Sequence, residues 1–159
     1  MSALLMTLSV VLAVSTLTGS TNNYYNDPTR FTDCSVTKKF AELTNATLTP
    51  LILKRGELSY WQGILQTKRT IQWAVLHAIL THNFKNYTNI TFIDEKFNLC
   101  DFFVDVIQKH CPLQPGIYHW KFNATVPKLL WPGQYHGKAT VYNEKGDEII
   151  CITKQCTID

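Results

Sequence analysis

Cys100-Asp101-Phe102-Phe103-Val104-Asp105-Val106-Ile107-Gln108-Lys109-His110-Cys111-Pro112-Leu113-Gln114-Pro115-Gly116 is the stretch from which the fold is read. Two cysteines bracket a short apolar segment, and the second runs straight into a Pro/Gly turn. Apolar alternation then continues to Trp131-Pro132-Gly133-Gln134-Tyr135 and to Ile149-Ile150-Cys151-Ile152. Closely spaced cysteines on a chain rich in aromatic residues and strand formers predict a stapled β-sandwich with an apolar interior.

Disulfides need an oxidising compartment, and the first residues point to one. Met1 to Ser20 carries no side-chain charge, and Ala3 to Leu17 is an apolar run broken only by Thr and Ser. Small residues at Thr16, Thr18, Gly19 and Ser20 suit signal-peptidase cleavage, and the run is short for a membrane span. The segment has no Lys or Arg ahead of the apolar run, so an uncleaved anchor is the competing reading. The expected organisation is a signal peptide at 1–20, a flexible lead-in at 21–30 and one domain at 31–159. The expected location is secreted, or the vacuolar or lysosomal lumen.

The mature length suffices for one hydrophobic core and not for two. The formal net charge of +3 is far from a nucleic-acid footprint, and the doublets Lys38-Lys39, Lys54-Arg55 and Lys68-Arg69 lie apart in sequence. Each doublet reads first as a solvated turn or strand edge, and second as a headgroup contact. No nucleic-acid partner is expected. The sequons at Asn45, Asn86, Asn89 and Asn123 agree with passage through the secretory pathway, and any that carry sugar must face solvent.

Strands are expected at Phe31 to Phe40, Ala46 to Leu53, Glu57 to Leu65, Asn89 to Ile93, Ile117 to Asn123, Gln134 to Asn143 and Glu148 to Ile158. Gly56 marks a turn, and Glu144-Lys145-Gly146-Asp147 closes a hairpin. Thr70 to Thr81 alternates through Ile71, Trp73, Val75, His77 and Ile79 as a strand, whereas Leu76 and Leu80 also fit a helical stripe. Phe102 to Ile107 reads as a short helix or as a loop lying on the core. Short strands separated by turn residues predict an all-β, immunoglobulin-like antiparallel sandwich.

The cysteines are Cys34, Cys100, Cys111, Cys151 and Cys156, an odd count that leaves at least one without an intramolecular partner. Cys100 and Cys111 enclose a small loop and pair most readily. Cys34 pairs with Cys151 or with Cys156, and spacing alone leaves both open. The remaining thiol reads as buried and inert. Histidines His77, His82, His110, His119 and His136 show no metal spacing. Asp101 and Asp105 lack an acid/base partner, and no phosphate loop or nucleophile elbow is present. No catalytic residue, metal or cofactor is expected.

Phe31-Thr32-Asp33-Cys34, Leu99-Cys100-Asp101, Cys111-Pro112-Leu113 with Gly116, Val126-Pro127, Trp131-Pro132-Gly133-Gln134-Tyr135 and Gly146 to Ile152 together resemble the ML lipid-recognition domain. Within it the chain is most similar to the phosphatidylglycerol/phosphatidylinositol transfer type. The likeness runs from about Leu99 to Ile152 and thins between Thr44 and Phe97. It implies two antiparallel sheets splayed around a phospholipid or sterol, pairing of Cys34 with Cys151 and of Cys100 with Cys111, transient membrane contact, and a monomer. Candidates for the cavity wall are Trp61, Trp73, Val75, Phe103, Tyr118, Trp120, Phe122 and Tyr135, with ordinary core packing as the competing role of each. The resemblance places the cavity mouth at Val126, Pro127, Lys128, Leu130, Trp131 and Pro132; a loop folded back on the core is the alternative. Presentation of an apolar ligand to a receptor, or an adhesion domain with a filled core, are the rival functions.

Overall fold

The computed structural model describes residues 27–159. The expected signal peptide and the first part of the lead-in lie outside the described residues. The elements run β1 (Thr32–Asp33), β2 (Ala41–Thr49), β3 (Ile52–Leu53), β4 (Leu58–Thr67), β5 (Ala74–Phe84), β6 (Tyr87–Asn98), α1 (Leu99–Ile107), β7 (Gly116–Thr125), β8 (Gly133–Asn143) and β9 (Glu148–Ile158). One sheet has the order β1-β9-β8-β5-β6, with β3 running parallel beside β9; the other is β2-β4-β7. Apart from the β3 pair, every pairing between these strands is antiparallel.

The expected sandwich is therefore present, and its strands show why. Along β7, Tyr118, Trp120 and Phe122 are half-buried while Ile117, His119, Lys121 and Asn123 are exposed, the period-two pattern of a sheet with one wet face. β6 ends the larger sheet and carries Asp94, Glu95 and Lys96, charges that discourage further strand addition at a free edge. Helix α1 is capped at its start by Asn98, whose side chain accepts from the Cys100 amide at 3.1 Å, and it ends at Gln108 in the left-handed conformation.

Two clusters of buried side chains join the sheets. One gathers Ala41, Leu65, Ile71, Ala74, Leu99, Phe103, Leu113, Ile149 and Ile150; the other gathers Leu48, Leu53, Val126, Leu130, Tyr135 and Ile158. Disulfides link Cys34 to Cys151 and Cys100 to Cys111, which decides between the pairings that spacing left open. Cys156 carries the free thiol. Asn45, Asn86, Asn89 and Asn123 are all exposed.

Several boundaries differ from expectation. Phe31 to Phe40 is not one strand: only Thr32–Asp33 pairs with β9, because the Asp33 carboxylate accepts the Ser35 amide and turns the chain as Cys34 joins Cys151. Ala46 to Leu53 is interrupted at Pro50, which has no amide proton to donate, so β2 ends at Thr49 and β3 leaves for the other sheet. Thr70 to Thr81 is a strand shifted to Ala74–Phe84, and the helical alternative is excluded. Lying between β8 and β6, β5 is flanked on both sides, and its side chains from Val75 to Thr81 are all half-buried, which blurs the alternation. Asn89 to Ile93 is the middle of the longer β6. Of the lead-in, residues 27–30 are hydrogen-bonded rather than free: the Thr29 carbonyl accepts from the Leu48 amide at 2.8 Å.

The two disulfides close loops of very different length, with sequence separations of 117 and 11 residues. Chain entropy then assigns about 5 kcal/mol to the first and about 3 kcal/mol to the second. Urea unfolding of C34S/C151S should show the larger loss of stability, and of C100S/C111S the smaller.

Candidate functional site

Between the two clusters the sheets do not meet. An apolar cavity of about 460 Å³ lies there, within the usual range of ligand pockets. The smaller sheet contributes Leu43, Leu48, Trp61, Leu65, Trp120 and Phe122; the larger contributes Leu76, Ala78 and Leu80 from β5, Ala139 and Val141 from β8, and Ile150, Ile152 and Cys156 from β9. Helix α1 supplies Phe102, Phe103, Val106 and Ile107. Trp61 stacks on Phe122 at 5.6 Å and 10° between planes, Trp120 stacks on Phe122 at 5.9 Å, and Phe102 meets Phe122 edge-on at 5.4 Å. The Trp61 indole nitrogen donates to Ser59 Oγ at 2.9 Å, so its polar edge is satisfied inside the sheet.

Gly63 lies opposite Trp120 in the β4–β7 register, and a Cβ there would stand 2.6 Å from Cζ2 of that indole. Trp120 therefore lies across the strand next to it, and the space a side chain would take is given to an aromatic wall.

The polar groups at the wall are few. Lys138 and Lys154 border it, and the Lys154 amine donates to the Pro28 carbonyl. Burial lowers the Lys154 pKa and pushes the Cys156 thiol up. Such a thiol is a poor nucleophile at neutral pH.

Ile93 on β6 and Phe102 on α1, each 38% exposed, are the most exposed of the large apolar side chains at the wall. They stand beside β6 and β7, which end their respective sheets and do not pair with each other. The wall is least covered at these two side chains.

Of the side chains expected at the wall, the structure brings Trp61, Phe103, Trp120 and Phe122 to it. The other four stand elsewhere. Trp73 precedes β5 and is exposed; Val75 is paired beside Tyr142 and Asn98, one residue out of step with the inward series Leu76, Ala78 and Leu80. Tyr118 packs on the first cluster, with its hydroxyl donating to the Gln114 carbonyl at 2.6 Å. Tyr135 is buried in the second cluster, and its hydroxyl donates to the Trp131 carbonyl at 2.8 Å.

The loop expected at the mouth is not among the cavity residues. Val126 and Leu130 are buried in the second cluster, Pro127, Lys128 and Pro132 are exposed, and Trp131 is half-exposed. The loop folds back because its apolar residues complete the core at that end. It also encloses His82, 1% exposed, whose ring lies against Tyr135, Phe92, Phe84 and Trp131. Sequence reasoning missed the β2, β5, β8 and β9 contributions, and on α1 it found Phe103 but not Phe102, Val106 and Ile107. The alternation Ile150, Ile152, Lys154, Cys156 was a usable signal for β9; on β5 Val75 was followed, whereas Leu76, Ala78, Ile79 and Leu80 line the cavity.

The family model for the ML domain matches residues 28–158. A phosphatidylglycerol/phosphatidylinositol transfer protein of Schizosaccharomyces pombe is 26% identical over 89 residues, 56% of this chain and 47% of that protein. One of Aspergillus oryzae is 36% identical over 66 residues, 42% of this chain and 37% of that protein. The chain thus aligns with less than half the length of either relative. Among solved structures, a Niemann-Pick type C2 protein from Japanese carpenter ant shares the fold with a TM-score of 0.63 at 14% identity, covering 82% of this chain and 99% of that one. Chicken MD-1, solved with lipid IVa, aligns with a TM-score of 0.52 at 12% identity over 80% and 86% of the two chains. With the family model spanning nearly all of the described residues, and with the sandwich and its two disulfides in place, this chain belongs to the ML domain family.

Proposed function

We propose that this chain is a lipid-binding protein that holds a phospholipid acyl chain or a sterol between its sheets and carries it between membranes without covalent chemistry. On this reading it works as a monomer in the secretory pathway or beyond it, secreted or in a vacuolar or lysosomal lumen. The observation that carries the reading is the apolar space itself. Water entering it finds few partners, since the wall is built almost entirely of aliphatic and aromatic side chains. A lipid chain loses nothing by comparison: burying about eight methylenes contributes roughly 6 kcal/mol. The rings of Trp61, Trp120 and Phe122 form the wall against which such a chain lies. The names of the transfer-protein relatives, and the lipid held by MD-1, point the same way.

Native mass spectrometry of secreted, glycan-trimmed protein, followed by organic extraction of the same sample, tests this directly. A defined adduct of lipid mass is expected. Protein that stays bare after incubation with mixed vesicles would sink the reading. Transfer between donor and acceptor vesicles separates a carrier from a module that presents one tightly held ligand to a receptor; the carrier requires measurable transfer.

Two further outcomes follow from the wall. Maleimide labelling of Cys156 should slow when the cavity is loaded and quicken after delipidation, because the thiol borders the ligand; equal rates would place the lipid elsewhere. Gly63→Ala forces a Cβ into the Trp120 ring and should cost about 1–3 kcal/mol of stability, read from the urea midpoint.

A further inference from the structure

On the side opposite β6 and β7 the sheets end in β1 and β2, and a short run of chain crosses between them. Arg30 bridges to Thr47 on β2, and two residues later Thr32 pairs with Thr153 on β9. Phe31, at the crossing, donates its amide to the Ala46 carbonyl at 3.0 Å and sets its ring beside Trp61 at 5.8 Å. A second hollow, of about 280 Å³, lies at this crossing. Phe31, Leu43 and Ile152 border both it and the apolar cavity. The rest of its lining is mostly polar, with Arg30, Asp33, Thr44 and Asn45. Here β2 bulges: its register with β4 slips between Thr44 and Thr47, and Asn45 is left-handed at φ 51°. An apolar space that shares part of its wall with a polar one suits an amphiphile.

The charges decide which kind. Lys154 follows Ile150 and Ile152 along β9 and lines the apolar cavity with them. Its amine donates to the carbonyl of Pro28, just ahead of the crossing. Among the described residues it forms no ion pair with a carboxylate. Asp27 acts on it only from beyond contact and is itself paired with Arg30 at 3.5 Å. Asp33 is engaged by Lys38 at 3.4 Å and by the Ser35 amide at 2.8 Å. An ammonium on an apolar wall without a counter-ion is costly, and burial lowers its pKa accordingly. The opposite flank has the reverse charge: Asp94, Glu95, Asp101 and Asp105 are exposed around Ile93 and Phe102, against Lys96. An anion is therefore repelled there and attracted at Lys154, where the apolar wall strengthens the attraction.

We propose that Lys154, with Arg30 beside it, receives the headgroup phosphate of an anionic phospholipid at the β1–β2 flank, while the acyl chain runs past Phe31 into the apolar cavity toward α1. An ammonium has three donors, so the phosphate is bound without giving up the Pro28 carbonyl. A zwitterionic headgroup fits less well, because it brings a second cation to a flank whose carboxylates, Asp27 and Asp33, are already paired. The assignment rests on the lipid-holding reading and deepens it by naming the residue that selects the headgroup and the side on which that headgroup lies.

Two photoreactive phosphatidylglycerols test it on the wild-type chain, trimmed of any sugar because Asn45 borders the hollow. One carries a diazirine on the headgroup, the other in mid-chain, and the labelled peptides are mapped by mass spectrometry. The headgroup probe should mark residues within 28–33 or 43–46, and the chain probe Trp61, Trp120 or Phe103. Headgroup labelling at 93–105, with the chain probe still on the wall, would overturn the assignment and leave the lipid-holding reading intact. A wall left unlabelled by the chain probe would sink that reading and the assignment with it. Native mass spectrometry after loading from equal phosphatidylglycerol and phosphatidylcholine then reads selection. The wild-type chain should hold phosphatidylglycerol in excess. K154M, whose side chain suits an apolar wall, should lower the ratio of the two lipids about tenfold, while K154R retains most of it. K121M on the outer face of β7 is the control and should leave the ratio unchanged. An unchanged ratio in K154M, or an equal loss in K121M, would remove Lys154 from headgroup selection. Should K154M fold poorly, the wild-type labelling pattern still decides the site.

Discussion

Everything in this molecule depends on the two sheets being fastened at two places and unfilled between them. A sandwich whose inner faces interdigitate along their whole length has no room for a ligand. Here the cluster around Leu113 and Ile149 and the cluster around Tyr135 and Ile158 carry the inter-sheet contact. The Cys34–Cys151 bridge adds a covalent tie from the segment after β1 to β9, so part of the stability lost by leaving the middle open is recovered from the unfolded state. Gly63 contributes in the opposite sense: by withholding a side chain it lets the Trp120 ring lie across β4.

The cavity wall also explains where the aromatic residues sit. Trp61, Phe122 and Trp120 form a continuous stack on the smaller sheet, and Phe102 leans on it edge-on from α1. Rings in this arrangement gain from one another as well as from burial, which keeps the wall in shape when nothing lies against it. The larger sheet opposes them with smaller aliphatic groups, Ala78, Ala139 and Leu80 among them. Broad surfaces on one side and short side chains on the other set the gap.

Much of this was legible in the residues. The strict alternation of β7 identified Trp120 and Phe122, and the turn chemistry of Glu144 to Asp147 placed the β8–β9 hairpin. The small loop between Cys100 and Cys111 singled out that pair, and the family resemblance chose Cys151 over Cys156 as the partner of Cys34, where spacing alone did not decide. What escaped the reading had physical causes. On β5 apolar residues occupy both faces, so periodicity does not say which set points inward. Tyr118 keeps the right face of β7 but lies where the sheets have already closed. The Val126 to Pro132 loop looks exposed in sequence because Lys and Pro punctuate it, yet Val126 and Leu130 complete the core and Trp131 covers His82, while Leu129 stays exposed.

Helix α1 carries Cys100 in its first turn, bonded to Cys111 just beyond its last, and it takes no part in either sheet ladder. Four of its side chains reach the cavity. Its ends are held by the bridge, so residues added to or removed from this segment leave strand register untouched and change only how far the helix extends over the space beneath it. The capacity of the container is thereby uncoupled from the architecture of its walls. Relatives that differ in the length between these two cysteines are free to differ in the bulk of what they enclose while keeping every strand in place.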